Sequence, residues 1–142
     1  MLLSEMFSGA PDVEINGICI DSRKAKPGDL FFCLKGLETD GHKFAEMACE
    51  KGAAAVVHSD SLKKRKGVAY VTAEDTNREL NRVCDLFFGY PSHKMTVFGV
   101  TGTNGKTTTT SIIRDVYNKP CGYMGTIAVR YGNVSRIPSL TT

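Results

Sequence analysis

The stretch Gly99-Val100-Thr101-Gly102-Thr103-Asn104-Gly105-Lys106-Thr107 constrains this chain more than any other. A short apolar run, Met95 to Phe98, precedes it, and a run of helical character, Thr108 to Tyr117, follows. Strand, glycine loop ending in Lys-Thr, then helix is an arrangement that holds nucleotide phosphates. The first amides of a helix lack partners within it and point outward as donors. The helix dipole adds partial positive charge at that end, and glycines let the backbone approach an anion. The strict phosphate-loop spacing wants glycine where Val100 stands, and the glycines at 99, 102 and 105 do not make a dinucleotide fingerprint either. The loop by itself admits any phosphate-loop NTPase, a kinase included, or a glycine-rich turn that binds nothing.

Upstream, residues 13 to 20 alternate loosely and read as a strand. Lys26-Pro27-Gly28-Asp29 is a turn, and Leu30 to Leu34 is a second, wholly apolar strand. After the polar loop Gly36 to Gly41, the run His42 to Lys51 carries apolar residues at helical spacing, with Gly52 placed to end it. Ala53 to Val57 and Val68 to Val71 are further strands. Thr76 and Glu79 suggest a capping box that opens a helix ending at Gly89. Short strands alternating with helices predict an α/β architecture. Residues 1–90 form one small domain in this reading, with Tyr90 to Lys94 as linker, and 91–142 begin a second. There the loop strand, its helix and a strand over Gly122 to Val129 would make one βαβ unit of a parallel sheet. Such a unit supplies too few strands to bury a core. It is expected to be the start of a larger domain, with an exposed half-sheet prone to self-association.

Composition narrows the function. A net charge of +3 is too small to argue for nucleic acid. The basic run Lys63-Lys64-Arg65-Lys66 lacks interleaved aromatics and reads as a solvated loop. Five scattered cysteines without a C-x-x-C pair fit a reducing compartment and no metal cluster. With no secretory signal and no apolar span, the expectation is a cytoplasmic protein. The histidines at 42, 58 and 93 form no visible catalytic or metal constellation.

The upstream residues add a second signature. Asp21-Ser22-Arg23, then Lys26-Pro27-Gly28-Asp29-Leu30-Phe31-Phe32, then Gly36, Asp40-Gly41-His42-Lys43-Phe44 and Gly52-Ala53 resemble the N-terminal domain of the Mur ligases, which build the peptide stem of bacterial cell-wall precursors. Thr101 to Thr108 is similar to that family's ATP loop, which accounts for Val100. Gly125-Thr126-Ile127 and Leu140-Thr141-Thr142 bring the pattern nearest to the member that adds a diamino acid, with the ligase adding D-alanyl-D-alanine as runner-up. The resemblance implies ATP-driven amide formation on UDP-N-acetylmuramoyl-L-alanyl-D-glutamate through an acyl phosphate. It implies ATP contacts from Gly102, Thr103, Asn104, Gly105, Lys106, Thr107 and Thr108. Lys106 would stabilise the transferring phosphoryl group and Thr107 would bind Mg2+. Ser22 would contact the UDP part, with Ile20, Leu37, Glu38 and Thr39 as further candidates, and Thr141 and Thr142 the muramoyl-peptide part. The family's second magnesium carboxylate, catalytic lysine and amino-acid-selecting domain are expected beyond residue 142. A non-catalytic module binding UDP-muramoyl peptides or nucleotide is the alternative.

Overall fold

Leu30-Phe31-Phe32-Cys33 is apolar at every position, and such a run is stable as a strand only when both faces are covered. The structure, a computed structural model describing residues 1–36, 39–117 and 119–137, covers both. It divides into two compact units, Met1–Met95 and Thr96–Thr142.

In the first unit, β1 (Gly17–Cys19), β2 (Asp29–Phe32), β3 (Ala55–His58) and β4 (Ala69–Thr72) form a parallel sheet in that order. The register sets Ile18 beside Leu30, Phe31 beside Val56 and Val57 beside Val71. Side chains alternate across the sheet. Leu30, Phe32, Ala55 and Val57 pack on one face against Leu3 and Met6 of α1 (Leu3–Met6) and Val83 of α3 (Thr76–Phe87). Phe31, Cys33 and Val56 pack on the other against Ala45, Ala48 and Cys49 of α2 (Ala45–Glu50). Leu30, Phe31, Phe32, Val56 and Val57 are fully buried, each stabilising by about 1.5–3 kcal/mol relative to exposure.

Both helix stops expected from glycine form the same capping structure. Gly52 has φ +96°, its amide donates to Cys49 O, and the Ala53 amide donates to Ala48 O. Gly89 repeats this, with its amide on Leu86 O and the Tyr90 amide on Asp85 O. These are the two bonds of the Schellman motif.

Four local expectations change. The run 13–20 is divided: Leu3 N donates to Val13 O and Ile15 N to Met1 O, so its first part pairs with the N-terminus and only Gly17–Cys19 joins the sheet. The helix expected over 42–51 starts as a 3-10 turn, Gly41–Phe44, because the Asp40 carboxylate takes the His42 amide. Helix α3 is capped by Asp75, whose carboxylate accepts from Asn77 N and Arg78 N, while Glu79 pairs with Arg82. Thr76 is therefore the first helical residue and the capping box does not form. The Tyr90–Lys94 linker contains a 3-10 turn, Pro91–Lys94.

The second unit departs further. Helix α4 (Lys106–Val116) forms as expected. Met95 to Phe98 joins no described strand, and Met95, Val97 and Phe98 are exposed. The expected strand over Gly122–Val129 folds back on itself instead. β5 (Tyr123–Met124) pairs antiparallel with β6 (Val129–Tyr131), which pairs antiparallel with β7 (Val134–Arg136). The parallel βαβ unit is thus replaced by a helix and an antiparallel meander. The reversal follows from the residues between: the Gly125 amide donates to Ala128 O, closing a tight hairpin that antiparallel neighbours permit and parallel ones do not. Ile112, Val116, Met124 and Ile137 remain exposed.

Candidate functional site

In the second unit, the glycine loop runs directly into α4. Gly105 is the N-cap residue at φ +78°, a left-handed conformation that glycine adopts without strain. It offers no side-chain cap. An Asp or Ser there would take one of the first-turn amides; with Gly105 those amides keep their donor capacity for an anion. Thr101 to Thr109 are all exposed, so a ligand meets the loop without displacing core. Lys106 Nζ donates to the carbonyl of Gly102 and lies 3.4 Å from that of Thr103. The ammonium is therefore folded over the loop rather than projected along the helix. Thr110 Oγ1 donates to Lys106 O at 2.9 Å and Thr107 O at 3.0 Å, which ties the first turn together. Gly102 to Thr108 are brought together as one continuous, solvent-facing surface. Thr107 offers a single neutral oxygen in the first turn. That donor suits Mg2+, which keeps several waters and is held by few protein ligands plus phosphate oxygens.

In the first unit, the described candidates Ile20, Ser22 and Thr39 follow the carboxyl ends of the adjacent strands β1 and β2, the side on which open α/β sheets bind ligands. Ile20 follows β1 and is 45% exposed. Asp21 caps a 3-10 turn, Ser22–Lys24, by accepting from Arg23 N. Its carboxylate also takes Nε and Nη2 of Arg23, each at 2.9 Å. Hydrogen bonding to that guanidinium holds the Asp21 carboxyl down at about 2. Ser22 is buried, its hydroxyl donating to Met47 Sδ of α2 at 3.4 Å. Thr39 is exposed and accepts from Gly36 N at 2.9 Å, closing the turn after β2. Leu37, Glu38, Thr141 and Thr142 lie outside the described residues.

The basic run at 63–66 is exposed, as expected. Lys64 Nζ sits 5.9 Å over the Tyr70 ring and Arg65 N donates to Tyr70 Oη, which tacks the run to β4.

One cluster is not legible from the sequence. Asp40, His42 and Asp60 place their ligating atoms within 4.8 Å of one another. His42 Nδ1 is 2.5 Å from Asp40 Oδ1, and Nε2 receives the amides of Ser59 at 3.0 Å and Asp60 at 3.3 Å. Nε2 is therefore the acceptor and the proton sits on Nδ1, donated to Asp40. Lys35 Nζ pairs with Asp60 at 2.8 Å. Both imidazole nitrogens are engaged, so the cluster does not offer a metal the lone pair it requires. The only local cue was Asp40 two residues before His42; Ser59 and Asp60 arrive through the β2–β3 register.

Comparison with known proteins now adds to this geometry. Residues 14–95 match the model described as Mur ligase family, catalytic domain, and residues 100–142 match the Mur ligase middle domain. The UDP-N-acetylmuramoyl-L-alanyl-D-glutamate--2,6-diaminopimelate ligase of Syntrophomonas wolfei is 42% identical over 144 residues, covering 99% of this chain and 29% of the relative. A solved structure of a UDP-N-acetylmuramoyl-L-alanyl-D-glutamate--2,6-diaminopimelate ligase superposes with a TM-score of 0.66 at 25% identity, covering 94% of this chain and 29% of that one. The MurF ligase of Thermotoga maritima in complex with ADP does so with a TM-score of 0.54 at 26% identity, covering 75% and 24%. The chain thus spans less than a third of the length of these relatives. Two consecutive family models along one chain, over a parallel sheet and a glycine loop of the matching kind, settle the assignment: this chain belongs to the Mur ligase family.

Proposed function

We propose that this chain supplies the substrate-holding and phosphate-holding parts of an ATP-dependent amide ligase. That ligase adds a diamino acid to UDP-N-acetylmuramoyl-L-alanyl-D-glutamate in peptidoglycan precursor synthesis, in the cytoplasm. The uncapped, exposed N-terminus of α4 beneath Lys106 carries the reading. The names of the relatives favour 2,6-diaminopimelate as the diamino acid.

In the reaction, an oxygen of the substrate's free carboxylate attacks the γ-phosphorus of ATP and ADP leaves, giving an acyl phosphate. The incoming amine attacks the acyl carbon, the amide C–N bond forms, the C–O bond breaks, and phosphate departs as the amine loses a proton. Phosphoryl transfer of this kind depends mostly on positioning and charge neutralisation. The first-turn amides of α4 orient the phosphates. Lys106, released from Gly102 and Thr103, places its ammonium on the transferring group. Mg2+, when bound, supplies further neutralisation, with the Thr107 hydroxyl among its ligands. In the first unit, Ile20, Ser22 and Thr39, with Leu37 and Glu38, hold the UDP end; Thr141 and Thr142 meet the muramoyl peptide. Ser22 gives up only a weak bond to Met47 sulfur to do so.

Amide NMR tests the placement. Adding UDP-N-acetylmuramoyl-L-alanyl-D-glutamate should shift Ile20, Ser22 and Thr39 and leave Gly102 to Lys106 unmoved, whereas ATP should do the reverse. Shifts from both ligands confined to Gly102–Thr108 would instead favour a phosphate-loop kinase.

A further inference from the structure

We propose that His42 is a positioning residue: with Asp40, Asp60 and Lys35 it clamps both stems of the turn after β2, and so sets the affinity for the uridine-diphosphate substrate. The inference rests on the substrate reading just given. Lys35 and Asp40 face each other across a single antiparallel bridge, and Gly36 N donates to Thr39 O inside it. The Gly41 amide adds a second bond to the stem, on Leu34 O at 2.8 Å. Each stem is also tied to the end of β3. The Lys35 ammonium reaches the Asp60 carboxylate at 2.8 Å. Asp40 takes the His42 Nδ1 proton, and His42 Nε2 takes the amides of Ser59 and Asp60. His58 Nδ1 donates to Asp60 O at 2.7 Å, which fixes the strand end itself.

The imidazole is suited to this bracing because it offers a donor and an acceptor on opposite edges of a rigid ring. It is buried, so its bonds do not compete with water. Backbone space enforces the same placement: a Cβ on Gly41 would lie 2.7 Å from Leu34 N and 2.8 Å from Leu34 O. A side chain there would collide with the backbone of Leu34, so the residue before His42 is glycine. The clamp touches no reacting group, so it acts on the affinity of one ligand and not on ATP.

The test uses the 142-residue chain, titrated with UDP-N-acetylmuramoyl-L-alanyl-D-glutamate and, separately, with ATP. His42→Asn keeps a donor toward Asp40 and lacks the Nε2 acceptor; His42→Gln provides the converse. Lys35→Met releases the other stem and alters only an exposed side chain, so it reports even if a His42 variant fails to fold. The expectation is about tenfold weaker binding of the UDP ligand in either His42 variant, and a smaller loss in Lys35→Met, from the loss of one or two buried or charged hydrogen bonds. ATP affinity should stay unchanged throughout. The ring nitrogens of His42 should give the 15N pattern of the Nδ1-protonated tautomer. Unchanged UDP-ligand affinity in Lys35→Met and in the folded His42 variants overturns the clamp, as does an Nε2-protonated ring. An unaltered chain that fails to bind the UDP ligand overturns the substrate reading and the clamp with it.

Discussion

Lys106 Nζ donates to the carbonyl of Gly102 four residues earlier, so the loop's own backbone holds the cation proposed to meet the ATP phosphates. In the proposed function the same ammonium exchanges these carbonyls for phosphate oxygens. Lys106→Ala should weaken ATP binding by about 10- to 100-fold, the equivalent of one or two charge-assisted hydrogen bonds. Lys106→Arg should recover only part of that loss, since a planar guanidinium does not replace a compact ammonium. Equilibrium dialysis with labelled ATP measures both, and the affinity for the UDP ligand should not move.

The N-terminus of α3 has a different cap from the one its sequence suggests. Asp75→Ala should destabilise the first unit by about 1 kcal/mol, because the amides of Asn77 and Arg78 lose their acceptor. Glu79→Ala should cost less, since its exposed pair with Arg82 is a surface interaction. Urea unfolding followed by circular dichroism separates the two; equal losses would restore the capping box.

That difference shows what can be read from a single sequence. Gly52 and Gly89 were legible as helix stops because the left-handed residue after a helix is a local requirement. Leu30 to Leu34 was legible as a strand because a short unbroken apolar run between turn signals has few other uses, and the structure sets it at Asp29–Phe32. The helix after the glycine loop was legible for a local reason as well, with left-handed Gly105 at its start. What could not be read depended on partners. Whether Gly122–Val129 stays one strand depends on which strands are available to pair with it, and the bond from Gly125 to Ala128 decides for a hairpin. The choice between Asp75 and Thr76 as cap is a one-residue question that two adjacent capping residues leave open. The His42 cluster needs Ser59 and Asp60, which sequence distance hides.

Asp21 provides a pH prediction with a definite sign. Its carboxyl is lowered from 3.8 to about 2, first by the hydrogen bond from the Arg23 side chain. The contribution of the pair to folding is complete above pH 3.8 and fades as pH falls towards 2. Carboxyl 13C titration of Asp21 should show a midpoint near 2, and Arg23→Ala should raise it towards the ordinary carboxylate range. An unshifted midpoint in the unaltered chain would dissolve the pair in solution.

The cysteines should divide by burial. Burial pushes the Cys33 thiol up to about 12, so at pH 8 it is a protonated core group. Cys121 is exposed, while Cys19, Cys33 and Cys49 are buried. Brief alkylation of the folded chain, read by peptide mass mapping, should label Cys121 first. Cys33 should react only under denaturing conditions, and early labelling there would contradict the packing of β2 against α2.

One chain with two ligand sites, one for a uridine-diphosphate sugar peptide and one for ATP phosphates, is the arrangement proposed. Isothermal titration of the unaltered chain and of Lys106→Ala with both ligands tests it most directly. UDP-N-acetylmuramoyl-L-alanyl-D-glutamate should bind both proteins with equal affinity, and ATP should bind Lys106→Ala about 10- to 100-fold more weakly than the unaltered chain. Heat from ATP with none from the UDP ligand in the unaltered chain would contradict the arrangement.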